Sequence, residues 1–516
     1  MEIENLLDIL RYRARTTPAT VALRSKDGVV SYEDLDRASN QMARAIAAQR
    51  AKPGARLAIL AKNTAAQMDI WWGALKSRTT LVPVNYRLVA RELAFILNDS
   101  GAEILFVGRD FYAVAQAMLP DLRSVRKVVA IDGGHAEWGA LRDWKDRHDA
   151  DAVEALVGTS DVALQIYTSG TTGRPKGVQI THANLIADQL RSEGTGLWSD
   201  KDVALLCMPL CHLGGCGVSL RSVYFGMEIV LMNGFEAVEV MHQIAKYRVT
   251  KAFFVPSMLH IMLNTPGCRE ADFSSLDLVF YGAGAMPFEL LTEAMKVFPC
   301  RFATGYGMTE TSGAVTYLAP EDHLGVHARE RMKSCGRPNG ARIRILGKKG
   351  DEVATGEVGE IVCSSPQVMI GYFGQPQETA EAIRDGWLHT GDAGFFDADG
   401  YLHISDRIKD MIVSGGLNIY PREIEEVLME HPAIAEVAVI GVPDDRWREA
   451  VKAIVVTKAG NQISVDELIA FARERMAKYK VPQSVDFSEA LPRNTSGKVL
   501  KRELRLPFWT GRERLV

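Results

Sequence analysis

The stretch YTSGTTGRPKGV, residues 167–178, gathers three glycines, four aliphatic hydroxyls and one lysine into twelve positions. Gly170, Gly173 and Gly177 permit positive φ and close backbone approach, so consecutive N–H groups can face one concavity that suits an anion. Thr168, Ser169, Thr171 and Thr172 add hydroxyl donors, and Lys176 adds a positive charge within reach of the same oxygens. Phosphate is the guest such a loop fits. The apolar run VALQIY ahead of it predicts a buried strand feeding the loop. This is not the Walker loop, which needs a hydroxyl residue directly after its lysine for magnesium, where this chain has Gly177.

The elements that must position the loop follow from the pattern around it. RLAILA, TTLVPV and EILFVG predict short buried strands, and AAQMDIWWGALKS and ARELAFILND predict the helices between them. Ser31 and Asp34 form a capping pair ahead of apolar residues at helical spacing. After the loop come a helix in THANLIADQLRS and strands in VALLCMP, KAFFVP and LDLVFYGAG. Such alternation predicts an α/β fold, a parallel sheet wound with helices. From about residue 335 the pattern becomes β-rich, in ARIRILG, GEIVCSS and YLHISDR. Near residue 407 it changes again, to a segment of α+β character long enough for a separate small domain. The expected division is an N-terminal domain over 1–406 and a C-terminal domain over 407–516.

A chain of 516 residues is too long for one core. A hydrophobic content of 47%, 24% charged residues and a net charge of −4 describe an ordinary soluble protein. Acids and bases are interspersed, which argues against nucleic acid or an anionic membrane as the main partner and leaves small molecules. The opening residues contain no apolar run of signal-peptide or membrane length, and the seven scattered cysteines suit reduced thiols; both point to a cytoplasmic protein. Cys207, Cys211, His212 and Cys216 cluster, but without the paired spacing of a zinc site.

Four further motifs accompany the loop: YGMTE at 306–310, GWLHTGD at 386–392, SDRIKDMIVSGG at 405–416 and PRNTSGKVLKREL at 492–504. In this order, over residues 25–504, the five resemble the adenylate-forming superfamily of acyl-CoA synthetases, adenylation domains and luciferases. The resemblance implies a large N-terminal domain of helix-wrapped sheets with a β-rich subdomain, and a small mobile C-terminal domain. It implies an acid–CoA ligase: a carboxylate attacks the α-phosphorus of ATP, giving acyl-AMP and pyrophosphate, and coenzyme A then displaces AMP. By the same resemblance Thr168, Ser169, Gly170, Thr171, Thr172, Gly173 and Lys176 would cradle the β- and γ-phosphates. Gly282, Ala283, Gly284, Tyr306 and Gly307 would lie at the adenine, and Asp392 and Arg407 at the ribose. Thr309 would donate to the α-phosphate, Glu310 would hold Mg²⁺, and Lys498 would bridge the carboxylate and α-phosphate. Lys409 would be the hinge of the mobile domain, with Ser414, Gly415 and Gly416 lining the CoA channel.

The acid is less legible. His212, Leu213, Gly214, Gly215 and Gly305 would form the acyl pocket, with His212 a gate or a structural histidine. Cys211 stands where relatives carry an aromatic, which suggests a roomy apolar pocket for fatty or aryl acids. Other departures are Asp406, where many relatives have glycine, and Arg448, where glycine is common. Transfer to an amine or a carrier protein, a luciferase-like oxygenase and a noncatalytic acyl or nucleotide sensor are the alternatives, and a homodimer is one option for the oligomer.

Overall fold

The computed structural model describes residues 3–154, 156–169, 175–284, 286–414, 417–444, 446–493 and 499–510. They fall into two compact units. The first comprises Met1–Arg329, Pro338–Arg342 and Ser364–Gly386, and the second Glu330–Arg337, Ile343–Cys363 and Trp387–Val516.

In the first unit the expected strands form, divided between two helix-wrapped sheets as the resemblance implies. Arg56–Leu60, Thr80–Pro83, Ile104–Val107 and Lys127–Ala130 pair in parallel around a core of Leu60, Val82, Leu93, Leu97 and Leu105. Val162–Ser169 joins the sheet in parallel beside Thr80–Pro83 and returns antiparallel as Pro175–Thr181. Gly371–Tyr372 closes that edge, with Tyr372 opposite Val178. The second sheet holds Val203–Leu206, Glu228–Leu231, Lys251–Phe254, Leu278–Tyr281 and Arg301–Thr304, all parallel. Its far edge is the hairpin Val21–Ser25 and Gly28–Ser31, drawn from the start of the chain. A single βαβ pattern cannot distinguish one sheet from two, because the local signal is the same in both. Ser31 and Asp34 cap the helix Tyr32–Ala48 as their spacing predicts.

The second unit contains the β-rich module and an α+β module. Gly359–Ser364, Trp387–Phe396 and Leu402–Arg407 run antiparallel in sequence. In the α+β module Arg448–Thr457 pairs antiparallel with Ile434–Asp444 and parallel with Ser484–Phe487. Ile412, Ile424, Leu428, Val439, Val451 and Leu468 fill the core beneath. Asp406 has structural work here: its carboxylate accepts from the Arg422 N–H at 2.9 Å, near the start of the helix Pro421–Met429. Arg448 adopts φ +74°, the left-handed region that favours glycine and gives a backbone reason for glycine at that position.

All seven cysteines are free thiols, and no helix among the described residues is long and apolar enough to cross a membrane.

The helix after the phosphate hairpin, His182–Glu193, begins with a buried histidine whose Nδ1 accepts the Leu6 N–H at 3.3 Å. Burial pushes His182 down to about 4, so it folds neutral. An unfolded histidine near 6.5 binds a proton that this folded one refuses, so stability rises with pH between about 4 and 6.5. From pH 7 to pH 5 this residue alone should remove about 2 kcal/mol. In urea titrations at the two pH values, His182→Asn should show a drop smaller by about that amount.

Candidate active site

Two aromatic rings organise the candidate residues of the first unit. Tyr372 is the first. Its hydroxyl donates to Glu310 Oε1 at 3.1 Å, while Lys176 Nζ lies 5.0 Å from its ring centroid. One phenol therefore brings a lysine of the phosphate hairpin and a buried carboxylate into the same neighbourhood. Lys176 also pairs with Glu378 on the short helix Pro376–Ala382. Thr168 stands opposite Lys176 in the hairpin and Ser169 opposite Pro175. Gly170, Thr171, Thr172 and Gly173 lie outside the described residues. Gly177 does not adopt positive φ: it sits within the strand, and a methyl there would lie 2.9 Å from Gln165 Nε2 and 3.1 Å from the Tyr167 ring.

Glu310 follows Thr309 in a single 3-10 turn, Thr309–Thr311, entered from the two-residue strand Gly307–Met308. The return strand, Gly313–Ala314, approaches so closely that a side chain on Gly307 would lie 2.0 Å from the Gly313 carbonyl oxygen. Gly305 is similarly crowded, with the Thr316 carbonyl oxygen 2.3 Å from where a Cβ would sit. Tyr306 is buried, its N–H on Thr316 Oγ1 at 2.8 Å. Glu310 is 6% exposed. Its hard carboxylate oxygens fit Mg²⁺, which takes one or two protein carboxylates and completes its shell from phosphates and water.

Phe253 is the second ring. A methyl on Gly214 would lie 3.0 Å from its Cε1, and one on Gly282 would lie 3.6 Å from its Cε2. The expected acyl segment and the expected adenine loop are thus separated by the width of one benzene ring. In that loop Ala283 holds φ +61°, an uncommon conformation for an L-residue. His212 is the N-cap of the helix Leu213–Phe225, and burial, aided by Arg87, pushes its pKa down to about 4. At neutral pH it presents an uncharged imidazole. Burial pushes the Cys211 thiol up to about 12, which makes it apolar lining rather than a nucleophile. Leu213 and Gly214 are half-buried beside it, whereas Gly215 is buried and has a packing reason of its own. A Cβ there would meet the Pro209 carbonyl oxygen at 2.3 Å.

The remaining residues belong to the second unit. Asp392 lies in the strand Trp387–Phe396, directly opposite Arg407, whose Nε lies 2.8 Å from Asp392 Oδ1. Asp392 is 5% exposed. Lys409 occupies the short turn Ile408–Asp410, where burial and the neighbouring Arg407 lower its pKa. Ser414 ends a strand of the hairpin Ile412–Ser414 and Leu417–Ile419; Gly415, Gly416 and Lys498 lie outside the described residues.

Tyr372, Phe253 and Glu378 carried no signal in the sequence: each meets the site from a segment far removed along the chain, and none belongs to a spaced motif. Residues 10–373 match the family model described as AMP-binding enzyme, and residues 423–498 match the AMP-binding enzyme C-terminal domain. The chain belongs to the AMP-binding enzymes. It is 39% identical to the fatty acid–[acyl-carrier-protein] ligase ScoC of Streptomyces coeruleorubidus, covering 100% of this chain and 98% of that one. It is 38% identical to a feruloyl-CoA synthase of an Amycolatopsis species, covering 96% and 97%. The o-succinylbenzoate-CoA synthetase of Bacillus subtilis, solved with its acyl-adenylate intermediate, superimposes with a TM-score of 0.84 at 33% identity, covering 96% and 97%.

The two glycines after Leu213 should respond differently to substitution. Gly215→Ala drives a methyl into a backbone carbonyl and should lower stability by about 1–3 kcal/mol in thermal or urea unfolding. Gly214→Ala meets only the edge of a half-buried ring that can turn, and should cost less than half as much.

Proposed function

We propose that the protein is an AMP-forming acid–CoA ligase acting on a fatty or aryl carboxylic acid, with ATP, Mg²⁺ and coenzyme A. The observation that carries this reading is the convergence of Lys176 and Glu310 on Tyr372: a cation suited to phosphate oxygens lies 5.0 Å from its ring centroid, and a hard carboxylate suited to a metal accepts from its hydroxyl. The chemical obstacle is charge, since an anionic carboxylate must attack an anionic nucleotide. Lys176, with the loop that Thr168 and Ser169 introduce, would take up the β- and γ-phosphates. Thr309 would donate to an α-phosphate oxygen. Glu310 would hold Mg²⁺, which supplies neutralising charge to the phosphates. Asp392 would accept from the ribose hydroxyls, oriented by its bond with Arg407.

In the first half-reaction a carboxylate oxygen bonds to the α-phosphorus as the bond to pyrophosphate breaks, with Lys498 neutralising both partners. In the second, the CoA sulfur bonds to the acyl carbon, AMP leaves with the C–O electron pair, and the thiol proton passes to solvent. We assign the change between them to rotation of residues 407–516 about Lys409, bringing Ser414, Gly415 and Gly416 to the pantetheine. Transfer to a carrier-protein thiol is the second reading, favoured by the likeness to ScoC. Both thiols are pantetheine, so the chemistry is shared.

Pyrophosphate release across a panel of fatty and aryl acids, with CoA, a pantetheine-bearing carrier protein or an amine as acceptor, tests this reading. No acid-dependent release from any of them would refute it; product with the carrier alone would select the second reading. Lys498→Ala should lose about 10²–10³ in adenylation rate and far less in thioester formation from supplied acyl-adenylate. Equal losses would remove Lys498 from its role. Lys409→Pro, which fixes φ, should still release pyrophosphate but stall at CoA transfer; normal thioester synthesis would place the hinge elsewhere.

A further inference from the structure

Glu310 hangs from a tight turn tied internally by the Ser312 N–H on the Thr309 carbonyl at 3.0 Å and the Thr311 hydroxyl on the Gly313 carbonyl at 2.7 Å, and externally by a buried polar cluster. Ser312, two residues on, sits at φ +51°, and Gly313 at φ +144°. An L-residue in the left-handed region persists only where its surroundings over-determine it. What surrounds this turn is buried and polar. Gln367 is 1% exposed, and its side-chain amide donates to the Ala314 carbonyl at 3.1 Å, with the Thr311 carbonyl at 3.5 Å. The same nitrogen lies 3.3 Å from Asp188 Oδ1. Asp188, 2% exposed, is clamped by two guanidinium groups, Arg191 at 2.9 Å and Arg221 at 2.8 Å. Asp188 also packs against the backbone of the turn, because a Cβ on Gly313 would lie 2.6 Å from its Oδ1.

The segment carrying Gln367 is itself fixed from the helix that follows the phosphate hairpin. Asn184 and Asp188 stand four residues apart on one face of His182–Glu193. Asn184 Nδ2 donates to the carbonyls of Pro366 and Val368, both at 2.8 Å, so Gln367 is held on either side. Further along the same segment, the Met369 N–H donates to the Glu310 carbonyl at 2.8 Å and Tyr372 donates to the Glu310 carboxylate. The path therefore runs from Pro175–Thr181, through its helix and residues 366–372, to both the backbone and the carboxylate of Glu310.

We infer that Gln367, seated on Asp188, is a positioning residue that sets the backbone of the Thr309–Ala314 turn and so the aim of Glu310 at the metal. This rests on the reading of Glu310 as the magnesium ligand. Gln367, 1% exposed, acts by supplying a donor to the Ala314 and Thr311 carbonyls of this turn. Its removal should weaken the metal-dependent part of ATP binding and leave AMP, which needs no metal, alone.

The experiment is calorimetric titration of the full-length protein with ATP in Mg²⁺, with ATP in EDTA, and with AMP. The ratio of the two ATP affinities measures the gain from the metal. Gln367→Met keeps length and removes the donor, and should reduce that gain about tenfold while AMP affinity stays within about twofold. Gln367→Asn retains a donor one carbon short and should fall between; it gives the readout if the Met variant does not fold. Glu310→Gln should abolish most of the gain. An unchanged gain in the Gln367 variants, with Glu310→Gln defective, overturns the proposal alone. An unchanged gain in Glu310→Gln overturns the metal reading and the proposal with it. Parallel weakening of AMP and ATP also overturns it, since Gln367 would then serve general packing.

Discussion

A carboxylate with 6% of its surface exposed must have donors or a cation around it, and Glu310 imposes that requirement on the first unit. The Tyr372 hydroxyl meets it, and Tyr372 can do so because it pairs with Val178 at the edge of the eight-stranded sheet. That edge exists because Val162–Ser169 turns back on itself as Pro175–Thr181, which also delivers Lys176 to the other side of the phenol. An antiparallel return on an otherwise largely parallel sheet thus has a chemical consequence. A parallel continuation would have sent the chain into a crossover helix and carried Lys176 away from the carboxylate.

The backbone is unusual where these candidate segments turn. Ala283 in the expected adenine loop and Ser312 beside Glu310 both hold positive φ, and Gly305 and Gly307 tolerate carbonyls that no side chain could. Such conformations cost of order 1–3 kcal/mol each and need a surrounding structure that leaves no alternative. At Ser312 the surroundings are the Asp188 cluster. Two guanidiniums, at 2.9 and 2.8 Å, fix the one buried carboxylate that faces the turn. Arg448, at φ +74°, is a comparable case in the second unit, on the strand position opposite Ser414.

The sequence made the elements legible wherever local periodicity carried them: the strands around Leu60, Val82 and Leu105, the capped helix after Ser31, and the strand of VALQIY ahead of the glycine-rich loop. It made the family legible through five spaced motifs. What it left hidden are pairings between distant segments. Two sheets look like one because βαβ periodicity is local, and the hairpin Val21–Ser25 and Gly28–Ser31 meets Glu228–Leu231 across some two hundred residues. Tyr372, Gln367 and Phe253 are ordinary residues by composition, and only the fold places them against Glu310, the Ala314 carbonyl and Gly214 respectively. Gly177 was legible as a glycine that matters, for a different reason: side chains of Gln165 and Tyr167 press on it. Asp392, which resembles a turn residue in T-G-D, is a strand residue because its partner strand ends at Arg407.

The helix after His212 follows a similar logic of space. Glycine weakens a helix by about 1 kcal/mol relative to alanine, yet Leu213–Phe225 opens with three of them in five residues. Gly215 is accounted for by the Pro209 carbonyl. Gly214 and Gly217 remain, three residues apart on one face, the first against Phe253 and the second with nothing within 4 Å of where its side chain would begin. Phe253 also lies beside the position of Gly282, so one ring separates the start of this helix from the loop that carries Ala283. The helix start is therefore closed on the side of Gly214, where Phe253 stands, and open at Gly217, where a side chain could begin without displacing a neighbour.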